Sequence, residues 1–200
     1  LLWLHGGGLV FGDPRQDAAY LQRVSAALDL HVVSVDYRVA PEHPYPAALD
    51  DCASAFAWTM AQEWVDAERV VVGGASAGGG LAAALCQRLA RAGGPQPRMQ
   101  LLVYPMLDDR SSETSTVPDA VLRVWDRVSN DYGWGSYLAG HDRDALPEFA
   151  VPARTADLSG LPPAWIGVGT CDLFHDEDVL YAERLASAGV PVEAEIVPGA

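Results

Sequence analysis

A serine between glycines is the residue best placed for chemistry in this chain. Ser76 lies in the run GGASAGGG (residues 73–80), directly after the apolar residues 70–72. The pattern predicts a strand, a tight turn and a helix, with Gly74 and Gly78 small for steric reasons. Ser76 would then stand at a helix N-terminus, where free N–H groups and the helix dipole favour developing negative charge. The alternative is a glycine-rich turn in which Ser76 merely caps the helix that follows.

A second glycine run follows the first apolar stretch of the chain. The sequence HGGG occupies residues 5–8, after the apolar residues 1–4. Acyl transfer through a serine requires N–H donors for the oxyanion as well as a base and a group that orients it. Gly7 and Gly8 are candidate donors because glycine leaves the N–H groups unobstructed, and the N–H of Ala77 is a third. The alternative is a flexible turn at the end of a strand.

Strand and helix patterns alternate along the chain, which predicts an α/β fold. This alternation favours a doubly wound, mostly parallel sheet with helices on both faces, and such sheets place their sites at the carboxyl ends of the strands. The predicted strands cover residues 1–5, 31–37, 69–73, 99–104, 164–170 and 192–197, and the predicted helices cover residues 17–29, 47–64, 77–92 and 176–188.

Residues 106–150 break this alternation. We predict a helical insertion over the strand ends, a lid, within a single domain spanning residues 1–200. The alternative is a solvated excursion whose aromatic residues only anchor it to the body of the domain. These aromatic residues are Trp125, Tyr132, Trp134, Tyr137 and Phe149.

Composition and net charge exclude some classes of binding partner. The net charge of −14 leaves no basic stripe for nucleic acid or anionic membranes. No apolar stretch approaches the ~20 residues of a membrane span. Cys52, Cys86 and Cys171 form an odd, scattered set that favours reduced thiols, and hence a cytoplasmic location, over disulfides or zinc. A signal peptide would precede Leu1, so its absence here carries no weight.

Five motifs together resemble the hormone-sensitive-lipase-like carboxylesterases, which are α/β-hydrolases. Beside residues 5–8, they are FGD (11–13), DYRVAPE with PYPAA (36–42 and 44–48), GASAGG (74–79) and DLFHDE (172–177). The resemblance covers essentially the whole chain. It differs at Ala75, where the family commonly has an acidic residue.

The resemblance implies a serine hydrolase of small or short-chain carboxylic esters that works through an acyl-enzyme. It also implies that the enzyme requires no metal or organic cofactor. Asp172 matches the family's catalytic acid. Asp176, four residues later, is interpreted as the N-cap of the next helix.

The catalytic base is the one required group that these motifs do not supply. The histidines are His5, His31, His43, His141 and His175. We expect His5 to hold its own loop and disfavour a metal cluster at residues 175–178, because consecutive side chains at a helix start point in different directions. The family's chain order is serine, acid, then histidine after the last strand. Since the sequence begins and stops inside apparent elements, we expect an internal fragment whose base follows Ala200.

Two other functions stay open on this scaffold. One is a non-catalytic small-molecule receptor that has lost a member of the triad, since a fold does not fix a function. The other is an amidase or peptidase. The sequence does not indicate the acyl chain length, the stereoselectivity or the oligomeric state.

Overall fold

One six-stranded sheet, parallel throughout, organises the chain in a computed structural model that describes residues 1–200. The spatial order of the strands is β2-β1-β3-β4-β5-β6, and every neighbouring pair is parallel, which confirms the predicted α/β class. The strands are β1 (Leu2–Leu4), β2 (Val33–Val35), β3 (Val71–Ala75), β4 (Met99–Val103), β5 (Ala164–Gly169) and β6 (Val192–Val197).

Helices connect these strands. The longest follows β3 and ends at Gly93, whose φ of +65° suits a glycine C-cap. None of the helices has the length and apolar character needed to cross a bilayer. The helices are α1 (Ala18–Leu28), α2 (Ala47–Met60), α3 (Ala77–Ala92), α4 (Ser111–Thr114), α5 (Arg127–Tyr137) and α6 (His175–Ser187), with 3-10 turns at Pro14–Asp17, Ala67–Arg69, Asp119–Val121 and Pro152–Arg154.

Both faces of the sheet are covered, as the sequence predicts. Successive side chains of β1 point to opposite faces, yet Leu2, Trp3 and Leu4 are all buried. Leu2 and Leu4 belong to the main apolar core together with side chains of α2 and α3. Trp3 faces the other way and packs against Tyr20 of α1. The nearly continuous apolar strands therefore reflect burial on two sides.

The predicted bounds of three elements were wrong by two residues or more, and those of β1, α1, β4, β5 and α6 differ by one residue at one or both ends. β2 is an edge strand whose only neighbour is β1, so three residues rather than seven find a partner. α2 ends at Met60 instead of Trp64, because the next N–H groups bond three residues back in a turn. β3 spans residues 71–75 instead of 69–73, since the preceding residues form a 3-10 turn capped by Asp66.

Part of the segment 106–150 is buried in the core, and part lies at the carboxyl edge of the sheet. Trp134 and Tyr137 of α5 are buried in the main core, whereas Tyr132 is 60% exposed. Val121, Arg123, Val124 and Trp125 border a cleft at the ends of the strands. Aromatic side chains thus anchor the segment to the body of the domain, and the lid stays a prediction.

Candidate active site

The turn between β3 and α3 has the geometry of a strained elbow. Ser76 alone separates the two elements, and its φ of 55° and ψ of −121° are rarely adopted by residues other than glycine. A side chain on Gly74 or Gly78 would collide with neighbouring backbone, including the carbonyl oxygen of Leu4. This confirms the steric reason predicted for both glycines.

Ser76 occupies the N-cap position of α3, but its side chain caps nothing. It makes no hydrogen bond to the first N–H groups of the helix, so the alternative of a merely capping serine is contradicted. The residue is held by its backbone instead. Its N–H donates to the carbonyl of Val103 at 2.9 Å, and its own carbonyl accepts from Gly80 and Met106. The hydroxyl is left available at the wall of the cleft.

The first glycine loop lies directly against this elbow. A Cβ atom built on Gly6 would stand 3.5 Å from Cβ of Ser76 and 3.2 Å from the carbonyl oxygen of Ala75. Gly7 and Gly8 have φ values of +132° and +57°, conformations that favour glycine. Residues some seventy positions apart in the sequence are therefore in contact at the carboxyl edge of the sheet.

Ala77 differs from the other candidate residues because its side chain does not face the cleft. The whole residue is 1% exposed, and its side chain packs in the core rather than in the cleft. Its backbone N–H is the first of α3, and the first N–H groups of a helix have no acceptor within it. Ala77 can thus contribute to a site only through this N–H group.

Asp172 reaches the same cleft from the other side, in the turn after β5. Its Oδ1 accepts a hydrogen bond from the N–H of Phe174 at 2.9 Å. Burial raises the pKa of this carboxyl above its usual range, and the hydrogen bond from Phe174 opposes the shift.

Gly7, Gly8, Ser76 and Asp172 border one cleft of about 710 Å³, and Ala77 is not among its lining residues. A further cleft of about 640 Å³, beside α3, contains none of the candidate residues. The walls of the first cleft are mixed apolar and polar, as is usual for small-molecule sites. Its lining consists of Gly6, Gly7, Gly8, Phe11, Gln16, Asp17, Ala75, Ser76, Tyr104, Val121, Arg123, Val124, Trp125, Cys171, Asp172, Leu173, Phe174, Gly199 and Ala200.

None of the five histidines lines this cleft. His5 is fully buried, with Nδ1 2.8 Å from the carbonyl oxygen of Gly6 and its ring stacked 4.1 Å from that of Tyr37. This confirms the expectation that it holds its own loop. His31 packs on Trp64, and His175 pairs with Asp176 at 2.8 Å.

The interpretation of Asp176 as an N-cap was wrong. α6 begins one residue earlier, at His175, so the N-cap position belongs to Phe174. The Oδ2 atom of Asp176 instead accepts from the N–H of Thr116 at 2.6 Å and from its hydroxyl at 2.8 Å. Asp176 therefore ties α6 to the 106–150 segment.

Two further carboxylates of α6 are buried behind the cleft. Glu177 accepts from the backbone N–H of Leu107 at 2.6 Å. Asp178 is 0% exposed, and neither of its oxygens has a hydrogen-bond partner. Desolvation raises the pKa of both groups well above the usual range.

Sequence reasoning missed two residues of the cleft. The ring of Trp125 lies against Gly8, and its Nε1 donates to Asn130 at 3.1 Å. Its only sequence signal was membership of the aromatic group in the insertion. Gln16 donates to the carbonyl oxygen of Gly6 at 3.2 Å. No pattern in the sequence pointed to it.

The family model described as alpha/beta hydrolase fold matches residues 1–200. The chain belongs to the α/β-hydrolase fold family. It is 40% identical to esterase LipI of Mycobacterium tuberculosis, over 96% of this chain and 61% of that protein. It is likewise 40% identical to carboxylesterase NlhH of the same species, over 99% of this chain and 64% of that protein.

Solved structures of this family agree. A hormone-sensitive lipase from a metagenome library superposes with a TM-score of 0.88 and 32% identity, over 99% of this chain and 67% of that one. The resemblance to the hormone-sensitive-lipase-like carboxylesterases is thereby confirmed. The α/β-hydrolase chain described here spans under two thirds of the length of LipI and NlhH.

Proposed function

We propose that this protein hydrolyses small or short-chain carboxylic esters through an acyl-enzyme on Ser76. The observation that carries the proposal is the contact between the Gly6–Gly8 loop and the strained Ser76 elbow, in a cleft that Asp172 also lines. The mechanism requires a nucleophile, oxyanion donors and an acid around one space, and the positions of these residues support the proposal.

The N–H groups of Gly7, Gly8 and Ala77 are the proposed oxyanion donors. When the hydroxyl oxygen of Ser76 attacks the ester carbonyl, negative charge develops on the carbonyl oxygen. Fixed donors stabilise this charge without reorganisation, and the loss of one such donor typically costs about 3 kcal/mol of transition-state stabilisation. The positive end of α3 acts in the same direction.

We propose that the base is a histidine that follows Ala200, oriented by Asp172. Ala200 already stands in the cleft, where its carbonyl accepts from the N–H of Cys171 at 2.6 Å. The residue after Ala200 would therefore begin at the border of the cleft that Ser76 and Asp172 line. The histidine takes the proton of Ser76, passes it to the leaving alcohol, and then activates the water that releases the acid.

The cleft and the relatives support the substrate class. A volume of about 710 Å³, partly closed by Trp125 against Gly8, suits a compact ester. LipI and NlhH are named an esterase and a carboxylesterase. We also propose that residues 106–150 act as a lid over the cleft.

A cytoplasmic location is a further part of the proposal. It is supported by the unpaired thiols of Cys52, Cys86 and Cys171, which fit a reducing compartment.

Replacing Ser76 by alanine in the full-length protein tests the proposal. Turnover of p-nitrophenyl butyrate should fall by a factor on the order of 10³ or more. Ser54→Ala is the matched control, because this exposed serine of α2 bonds only to its own helix. A Ser76→Ala protein with the parent rate would overturn the assignment. Binding of esters by the parent protein without turnover would favour a receptor, and faster cleavage of the matching amide would favour an amidase.

A further inference from the structure

Gln16 holds the peptide that leads into the oxyanion loop. We propose that Gln16 is a positioning residue: it fixes the carbonyl of Gly6 and so sets the direction of the N–H of Gly7. The inference rests on the proposed function, because that N–H is one of the proposed oxyanion donors. It adds a residue outside the glycine and serine motifs to the machinery.

The carbonyl oxygen of Gly6 is approached by two side chains. Nε2 of Gln16 donates to it at 3.2 Å, and Nδ1 of His5 lies 2.8 Å away. A carbonyl oxygen has two lone pairs, so both can be used when His5 carries its proton on Nδ1. His5 is locked by burial and by its stacking on Tyr37, whereas Gln16 is exposed and lies at the border of the cleft.

Fixing this oxygen fixes the next N–H. The peptide between Gly6 and Gly7 is planar and trans, so its C=O and N–H point in opposite directions. With the oxygen turned towards His5 and Gln16, the N–H of Gly7 is turned away from them. The φ of +132° at Gly7 is one of many conformations open to glycine. The carbonyl of Gly7 is held by the N–H groups of Val10 and Phe11, and the bonds to the Gly6 oxygen hold the peptide on its other side.

The fold is shaped to let Gln16 reach this oxygen. A Cβ atom built on Gly12 would lie 2.5 Å from the oxygen of Gly6 and 3.0 Å from Oε1 of Gln16, so a side chain there would block the approach. Gln16 stands on the 3-10 turn Pro14–Asp17, which is tied down at both ends. Asp13 caps it through the N–H of Arg15, and Asp17 accepts from the indole of Trp3 at 2.8 Å.

Two variants of the full-length protein test this role. Gln16→Met keeps the length of the side chain but removes the donor. We expect kcat for p-nitrophenyl butyrate to fall about tenfold or more, with KM nearly unchanged, because an oxyanion donor acts mainly in the transition state. The affinity for a trifluoromethyl ketone, which mimics the tetrahedral intermediate, should fall by the same factor as kcat/KM.

Gln16→Glu separates positioning from a general structural role. An ionised carboxylate repels the carbonyl of Gly6, while a protonated one can donate to it. The rate of this variant relative to the parent protein, measured at each pH, should therefore rise as the pH is lowered from 7 to 4, the range in which a glutamate takes up its proton. Gln22→Leu, an exposed position on α1, is the control and should leave kcat unchanged.

The outcomes distinguish the two proposals. Full activity of Ser76→Ala would remove the proposed function, and this inference with it. If Ser76→Ala is inactive while Gln16→Met keeps the parent kcat and ketone affinity, the positioning role is refuted and the proposed function stands. A relative rate of Gln16→Glu that does not change with pH would also refute it, even if Gln16→Met is unstable.

Discussion

Gly133 of α5 lies directly against the carbonyl oxygen of Gly8: a Cβ atom built on Gly133 would stand 2.5 Å from that oxygen. The contact joins the 106–150 segment to the glycine loop beside Ser76. Because α5 is also anchored in the core through Trp134, we expect it to support the Gly8 loop. The segment thus contacts the glycine loop and also borders the cleft.

Gly133→Ala should damage both stability and activity. The added methyl group meets backbone, so the Gly8 loop must shift, and overpacking of this kind costs about 1–3 kcal/mol of unfolding free energy. We expect a lower melting temperature and a reduced kcat/KM. Thermal unfolding and ester hydrolysis in the full-length protein measure both.

Gly135→Ala, two residues along the same helix, is the matched control. Gly135 is exposed, and a side chain there would meet nothing within 4 Å. Alanine should stabilise the helix by about 0.5–1 kcal/mol and leave kcat/KM unchanged. Equal effects of the two substitutions would contradict the support assigned to Gly133.

Asp172→Asn should abolish most of the activity of the full-length protein, while Asp176→Asn should not. An amide at position 172 would no longer hold the base in its productive tautomer, and the expected loss in kcat is on the order of 10³–10⁴. Asp176 is engaged with Thr116 outside the cleft, so its replacement should act mainly on stability. Steady-state kinetics on one short-chain ester decides between them. If Asp176→Asn lost more kcat than Asp172→Asn, Asp176 rather than Asp172 would be the catalytic acid.

Asp178→Asn should stabilise the protein at pH 8 and change little at pH 4. Burial raises the pKa of Asp178 above its value in the unfolded chain, so the folded state holds a proton that the unfolded state releases as the pH rises. Stability is therefore fully present below the unfolded pKa and is lost as the pH rises towards the folded one. Asparagine removes this loss, which we estimate at about 1–3 kcal/mol.

Melting temperatures at the two pH values test this prediction. Glu183→Gln, an exposed position on the same helix, is the control and should change little. The residual pH dependence of Asp178→Asn should reflect Glu177 and Asp172, whose pKa values are also raised. A variant that is less stable than the parent protein at pH 8 would show that the carboxyl of Asp178 is needed there.

Local sequence patterns predicted much of the fold. The bounds of α3 were predicted to the residue, because Ser76 and Gly93 mark its two ends by their backbone requirements. The strand that precedes Ser76 was displaced by two residues, since strand ends are decided by the neighbours with which they pair. The prediction of Asp176 as the N-cap of α6 was wrong for a similar reason. Whether a helix begins one residue earlier depends on packing rather than on composition.

The sequence by itself determined the α/β class, the elbow at Ser76 and the glycine loop, since steric demands on glycine and apolar periodicity are properties of short segments. Only the tertiary structure decided that Gln16 reaches the carbonyl of Gly6, that Gly133 supports Gly8 and that Asp178 is buried without a partner. These relationships join segments far apart or depend on the degree of burial. They follow from the packing of distant segments against one another, which no single stretch of sequence encodes.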